Sequence, residues 1–322
     1  MFKGILHFTL KLCFVFFLSI QYSLSAEKNS HNVIIVYKQS SSVHEEAVSQ
    51  IIKTIKEKND ESINFHYVYT HDSENVDNLK ENNTDIIISV GVDAAKLILS
   101  LNQNNPVLFT LIPKQSIQTL YSAFNVPVKN QYSSIYLTQP VTRKLNLSRI
   151  VLGKPAKIGI ALSDQSGITE KELAKKSLDA GMELIAQHLS DYSKPIDAMN
   201  AALDDSDIYM SLYDSKLLNR HTAKFLLYMA YKKNKPVIGL SPGYTKAGAV
   251  ASIFSTPKQI GLQSAEYIID YLSGAKKYFA ASPKYFTVSV NQRVQRNLRL
   301  KKLSSNEIEE QLYKMEGGSS DD

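Results

Sequence analysis

One cysteine serves the whole 322-residue chain, and it stands at position 13, inside an N-terminal apolar stretch. A disulfide framework is thereby excluded, because no second thiol exists to close a bridge. Histidine is scarce as well. Of the seven, only His66 and His71 stand close together, and no third ligand at metal-site spacing accompanies them, so a zinc centre is not expected. Gly-x-Ser-x-Gly, Gly-x-Gly-x-x-Gly and a Cys/His pair are all missing, which argues against an acyl hydrolase and a dinucleotide enzyme. No catalytic residue, metal or cofactor is expected. An excess of one charge is also lacking: the formal net charge is only +6, with basic residues scattered along the chain. Without an aromatic-interleaved basic stripe, nucleic acid is not an expected partner. Nor is there an apolar run long enough to span a bilayer; "LCFVFFLSI" stops short of it.

That run identifies residues 1–26 as a secretory signal peptide. Lys3 and Lys11 precede or interrupt it, and the small, polar "QYSLSA" follows. Cleavage is expected after Ala26. Leu24 fits the small-x-small rule poorly, so cleavage after Ser25 and a retained anchor are the alternatives. No lipobox ends at Cys13. Removing the segment takes away Lys3 and Lys11, and the formal charge falls to +4. The mature chain is expected in the periplasm.

The remaining length suits two cores of about 100 to 150 residues each. With 43% apolar and 21% charged residues, the composition is globular. Strand-like runs are "NVIIVY", "INFHYVY", "DIIISV", "PVLFTLI", "AKIGIAL", "DIYMSLY", "PVIGL", "AVASIF" and "YFTVSV". Between them, "EEAVSQIIKTIKEK", "TAKFLLYMAYKK" and "PKQIGLQSAEYIIDYL" carry apolar residues on one helical face. Continuous apolar strands alternating with helices indicate parallel sheets covered on both faces, an α/β fold.

The plan is used twice. "VIIVYKQSSSVHEEAV" matches "IGIALSDQSGITEKEL", each a strand, a Ser/Gln loop and a capping box, Ser42-x-x-Glu45 in one and Thr169-x-x-Glu172 in the other. "DIIISVGVDAAKL" matches "DIYMSLYDSKLL", and "NNPVLFTLIPK" matches "NKPVIGLSPGY". Three pairs in one order at offsets of 125, 122 and 130 residues indicate two related α/β lobes. Ligands bind beyond the carboxyl ends of strands in such sheets, so two facing edges make a cleft with "SPGY" on one lip. Gly243 and Gly248 have the G-x-x-x-x-G spacing of a phosphate loop, but Ala249 and Val250 replace its Lys and Ser/Thr. The two glycines are therefore read as turn residues, and "KAGAVASI" as chain crossing between lobes. Asp204, Asp205 and Asp207 precede a strand and read as a solvated turn.

"PVIGLSPGYTKAGAVASIFSTPKQIGLQSAEYIIDYLSG", "VGVDAAKLI", "PVLFTLIPKQ", "SSIYLTQPVTRKLNL" and "FTVSVNQRVQRNLRL" resemble the ABC transporter substrate-binding proteins whose best-known members bind tryptophan and other aromatic amino acids. The resemblance covers about residues 33 to 300. It implies a type I periplasmic binding fold, a hinge with three chain crossings, an ABC permease as partner, and no enzymatic activity. The segment after "LFTLIPK" lacks the Asp-Pro and Gly-Asn-Ile-Thr-Gly motifs of those members, so the ligand is read only as a small molecule, such as an amino acid or related carboxylate.

Lobe 1 is expected over 27–138, completed by about 250–274; lobe 2 over 139–243, completed by about 283–300; and a polar tail over 301–322. Ser40, Ser89, Gly91 and Thr110 of lobe 1 and Asp164, Tyr213, Asp214 and Tyr244 of lobe 2 are the expected ligand contacts. Helix starts after Ser89 and Gly91 suit an anion. Plainer roles are a core position for Tyr213 and a helix cap for Asp214. A monomer is expected. A sensor subunit for a membrane receptor or histidine kinase would use the same closure, and a periplasmic hydrolase is the remaining alternative.

Overall fold

The computed structural model describes residues 30–58, 63–71, 79, 83–102, 104–126, 132–275 and 277–317. The expected signal peptide lies outside them.

The first lobe alternates β1 (His31–Tyr37), α1 (Ser42–Glu57), β2 (Ile63–Tyr69), β3 (Ile86–Val90), α2 (Val92–Ser100), β4 (Val107–Ile112), α3 (Lys114–Ala123) and β5 (Tyr132–Tyr136). The chain then enters the second lobe through α4 (Val141–Leu152), β6 (Ala156–Leu162), α5 (Glu170–Asp179), β7 (Met182–His188), α6 (Pro195–Asp204) and β8 (Ile208–Met210). There follow α7 (Arg220–Lys232), β9 (Val237–Gly239), α8 (Pro242–Ala247) and β10 (Ala251–Phe254). α9 (Pro257–Leu272) and β11 (Ala280–Ala281) return to the first lobe; β12 (Thr287–Val290), α10 (Gln292–Asn297) and α11 (Ser305–Met315) complete the second.

Two six-stranded sheets result, in the orders β11-β5-β4-β3-β1-β2 and β12-β10-β9-β8-β6-β7. Each pair of segments recognised as a sequence repeat occupies the same place in the two orders: β1 with β6, β3 with β8, β4 with β9. All pairings are parallel except β10 with β12. β1, β3 and β4 are almost entirely buried, as strands covered by helices on both faces must be. Against β1 and β3, α1 and α9 pack together through Ala47, Ile51, Ile260 and Ile268; Gly261 permits that approach, because a Cβ there would lie 2.5 Å from the Ala47 carbonyl oxygen. Among the described residues no helix is long and apolar enough to cross a membrane.

Several expectations change. β10 lies in the second sheet, so "KAGAVASI" does not cross between lobes and 250–256 does not complete lobe 1; its antiparallel partner β12 holds it beside β9. The expected polar tail contains α11, whose Ile308 and Leu312 enter the second core one helical turn apart. Ser41, not Ser42, caps α1 by accepting from the His44 N–H. Gly243 is helical within α8; only Gly248 has a positive φ, 125°.

Candidate ligand site

Three strands of chain pass between the sheets: 137–140, 254–257 and 281–286. Their polar side chains bind one another. Gln139 Nε2 donates to Ser255 Oγ at 2.7 Å, and Ser255 Oγ donates to the Tyr285 carbonyl at 2.6 Å. Arg143, in the first turn of α4, donates to Gln139 Oε1 and to the Pro283 carbonyl. Its other N–H groups grip Glu316 in a bidentate pair at 2.6 and 2.7 Å, with the guanidinium over the Phe286 ring. A single knot thus fixes all three crossings and the end of α11.

Beside the knot, a cavity of about 410 Å³ opens between the lobes. Leu111, Pro113 and Leu137 wall it from the first lobe, and Tyr213, Leu240 and Phe254 from the second. Such a volume and apolar lining suit a small organic ligand. Leu111 reaches this wall from a bulge: the β4–β5 register shifts between Thr110 and Ile112, and Leu111 takes φ +54°. A left-handed leucine costs about 1–2 kcal/mol, strain of a kind that collects at binding sites. α3 and α9 begin at this wall, at Pro113–Lys114 and Thr256–Pro257, and bring the positive ends of their dipoles to it.

Lys144 also faces the cavity. It projects from the first turn of α4, the residue is buried with only 2% exposed, and among the described residues Nζ has one hydrogen bond, 3.4 Å to the Ser211 carbonyl. Burial pushes its ammonium down to about 8, since removal from water disfavours the charged form. A second, polar chamber of about 220 Å³ shares Thr138, Gln139, Lys144 and Tyr213 with the first and contains Lys114, Glu172 and Lys176.

Of the eight expected contacts, Tyr213 alone lines the cavity; its hydroxyl lies 3.3 Å from Ser116 Oγ across the cleft. Asp214 is spent within the protein. Its Oδ2 accepts from the Ser163 and Ser166 hydroxyls at 2.7 and 2.5 Å, and Oδ1 from the Lys216 and Leu217 N–H groups, leaving no lone pair for a ligand. Tyr244 turns into the second core because the short α8 swings it over Gly239, where a Cβ would stand 2.3 Å from Tyr244 Cβ. That burial pushes its phenol up to about 12.

Thr110 is committed to Ser264 of α9 at 2.7 Å, and Ser89 is fully buried in β3. Gly91 opens α2 with φ +87°, but the His44 ring closes that helix start: a Cβ would lie 2.6 Å from it. Ser40 lies on a separate open hollow with Lys38, Asp93 and Lys96. Asp164 pairs with Lys216 at the surface, 2.7 Å away. Sequence reasoning passed over Leu111, Gln139 and Lys144, although "TQPVTRK" groups polar and cationic residues at the first crossing.

The family described as ABC transporter substrate binding protein matches residues 32–301. No curated protein matches. Among solved structures, a substrate-binding protein with adhesive properties from Clostridium difficile, in its ligand-free, open form, is 14% identical over 86% of this chain and 97% of its own, with a TM-score of 0.62. An ABC domain in complex with L-Trp from Streptococcus pneumonia is 13% identical over 84% and 95%, with a TM-score of 0.53. A conserved domain protein from Vibrio cholerae is 18% identical over 85% and 96%, also at 0.53. At these identities the likeness concerns the fold, two α/β lobes of the type I periplasmic binding kind. The family is one of solute-binding proteins rather than enzymes, and with 32–301 matched the chain belongs to the ABC transporter substrate-binding protein family.

Proposed function

We propose that the chain captures a small organic molecule in the periplasm, an amino acid or related carboxylate, and hands it to an inner-membrane ABC permease for uptake. The observation carrying this reading is the apolar cavity of about 410 Å³, walled by both lobes beside the three crossings. A ligand held by both walls favours the closed arrangement over the open one, because only closure gives it both sets of contacts. Two hydrogen bonds already span the cleft: Ser116 with Tyr213, and Gln115 Nε2 to the Ser166 carbonyl at 3.2 Å. They set the register in which the lobes meet, and Tyr213 contributes ring surface to the ligand. Export through residues 1–26 would bring the chain to the compartment where a permease can receive it.

Ser241 tests the site. It lines the cavity, is only half-buried and makes no cap hydrogen bond, so Ser241→Trp fills the space without disturbing the core. In a thermal-shift screen of amino acids and organic acids, a compound at 100 times its Kd should raise the parent's stability by about 2.7 kcal/mol. The same compound should leave Ser241→Trp unmoved. An equal shift in both proteins would place binding elsewhere.

A further inference from the structure

Among the described residues, Lys144 is the only charged one on the wall of the apolar cavity. The other polar groups there are largely engaged. Thr138 Oγ1 donates to Gln115 Oε1, Gln139 binds Ser255 and Arg143, Ser255 binds Tyr285, and Thr256 caps α9. Lys144 Nζ, by contrast, uses one of its three N–H groups, in a long contact to a carbonyl, and among the described residues no carboxylate pairs with it. Burying a lysine in this way is unfavourable unless something arrives to match its charge.

Among the described residues this wall offers a cation no counter-charge. No Asp or Glu among the described residues lines the apolar cavity. In the adjoining chamber the single acid among the described residues, Glu172, pairs with Lys176 at 3.6 Å, and Lys114 adds another positive charge. Asp214, only 1% exposed, has both oxygens filled by two hydroxyls and two backbone N–H groups. The starts of α3 and α9 add partial positive charge on the same side.

We infer that the ligand is an organic monocarboxylate with an apolar body and no ammonium group, its carboxylate paired with Lys144 and its body between Leu111, Leu240 and Phe254. An α-amino acid would bring an ammonium into a wall that offers Lys144 and no acid. This inference rests on the proposed cleft site and narrows its ligand to the carboxylate alternative.

Matched probes test it on the mature chain by calorimetry: hexanoate, 4-methylpentanoate, 3-phenylpropionate and 3-(indol-3-yl)propionate, each with its primary amide and with its amino-acid counterpart, norleucine, leucine, phenylalanine and tryptophan. At least one acid should bind, with its amide and its amino acid weaker by about tenfold or more, the range of a charge-assisted hydrogen bond. Lys144→Met should weaken that acid to the level of its amide, and Ser241→Trp should abolish all binding. Acid binding retained in Lys144→Met but lost in Ser241→Trp overturns the role of Lys144 and leaves the cleft standing. Retention in Ser241→Trp sinks the cleft itself. An amino acid binding as tightly as its acid, or a set in which no acid binds, overturns the proposed ligand class; this comparison on the parent needs no variant to fold.

Discussion

Lys144 carries opposite consequences for stability and for binding. Its ammonium titrates near 8 in the folded chain against an ordinary value of 10.5, a difference equivalent to roughly 3 kcal/mol. Between these values the unfolded chain holds more protons, so this group makes stability rise with pH; its penalty is full below about 8 and gone above the ordinary lysine range. Lys144→Met should therefore be more stable than the parent at pH 7, and urea midpoints should converge as pH approaches about 10.5. Tyr209 and Tyr271, whose phenols burial pushes up, titrate alike in both proteins and cancel from the comparison. A parent more stable than the variant at pH 7 would show that Lys144 has a counter-charge within the protein.

Asp214 is the reverse case, a buried acid with every lone pair answered. Asp214→Asn should lose about 1.5–3 kcal/mol in urea denaturation, because an amide cannot accept from two hydroxyls and two N–H groups at once. Ligand affinity should not change in the fraction that remains folded. A large loss of affinity without loss of stability would restore Asp214 as a ligand contact.

Periodicity made most elements legible. The nine apolar runs each contain a strand, and the "PKQIGLQSAEYIIDYL" helix begins and ends where its pattern does, at Pro257 and Leu272. Its start is sealed by a reciprocal cap between Thr256 and Gln259. β5 gives no apolar run, because "YSSIY" puts two serines in a core strand; Ser133 is tolerated there by a 2.6 Å hydrogen bond to the Tyr267 hydroxyl. β7 lacks such a run for a different reason, as an edge strand with mostly half-exposed residues. α11 hid behind composition: Ile308 and Leu312 are its only fully buried residues among charged neighbours. Leu312→Ala should nonetheless cost about 2–5 kcal/mol in chemical denaturation, as for any fully buried leucine. A loss below about 1 kcal/mol would mean that α11 is a dispensable appendage.

The site was harder to read because it depends on how helices are turned. Tyr244 follows a Pro-Gly pair and looks like a cleft lip, yet one turn of α8 rotates it inward over Gly239. Lys144 looks like a surface cation on a basic helix, and is buried because α4 packs this part of its surface against the second lobe, with Nζ on the Ser211 carbonyl. Neither orientation is written in residue type.

For the whole molecule, function depends on two lobes meeting around something small. The internal repeat supplies two sheets with the same strand order, and the Gln139–Ser255–Tyr285 knot keeps their carboxyl edges facing one another. Under the proposed function, hinge motion about that knot would need no rearrangement of either core, and the apolar cavity would open and close as a unit. The most direct measurement is mass spectrometry of small molecules released on denaturing the mature chain after incubation with a protein-free extract of its own cells, set beside Ser241→Trp treated identically. The account predicts an organic molecule released at about one per parent chain and missing from the variant. The same molecule released equally from both proteins would contradict it, since a ligand indifferent to a filled cavity does not bind between the lobes.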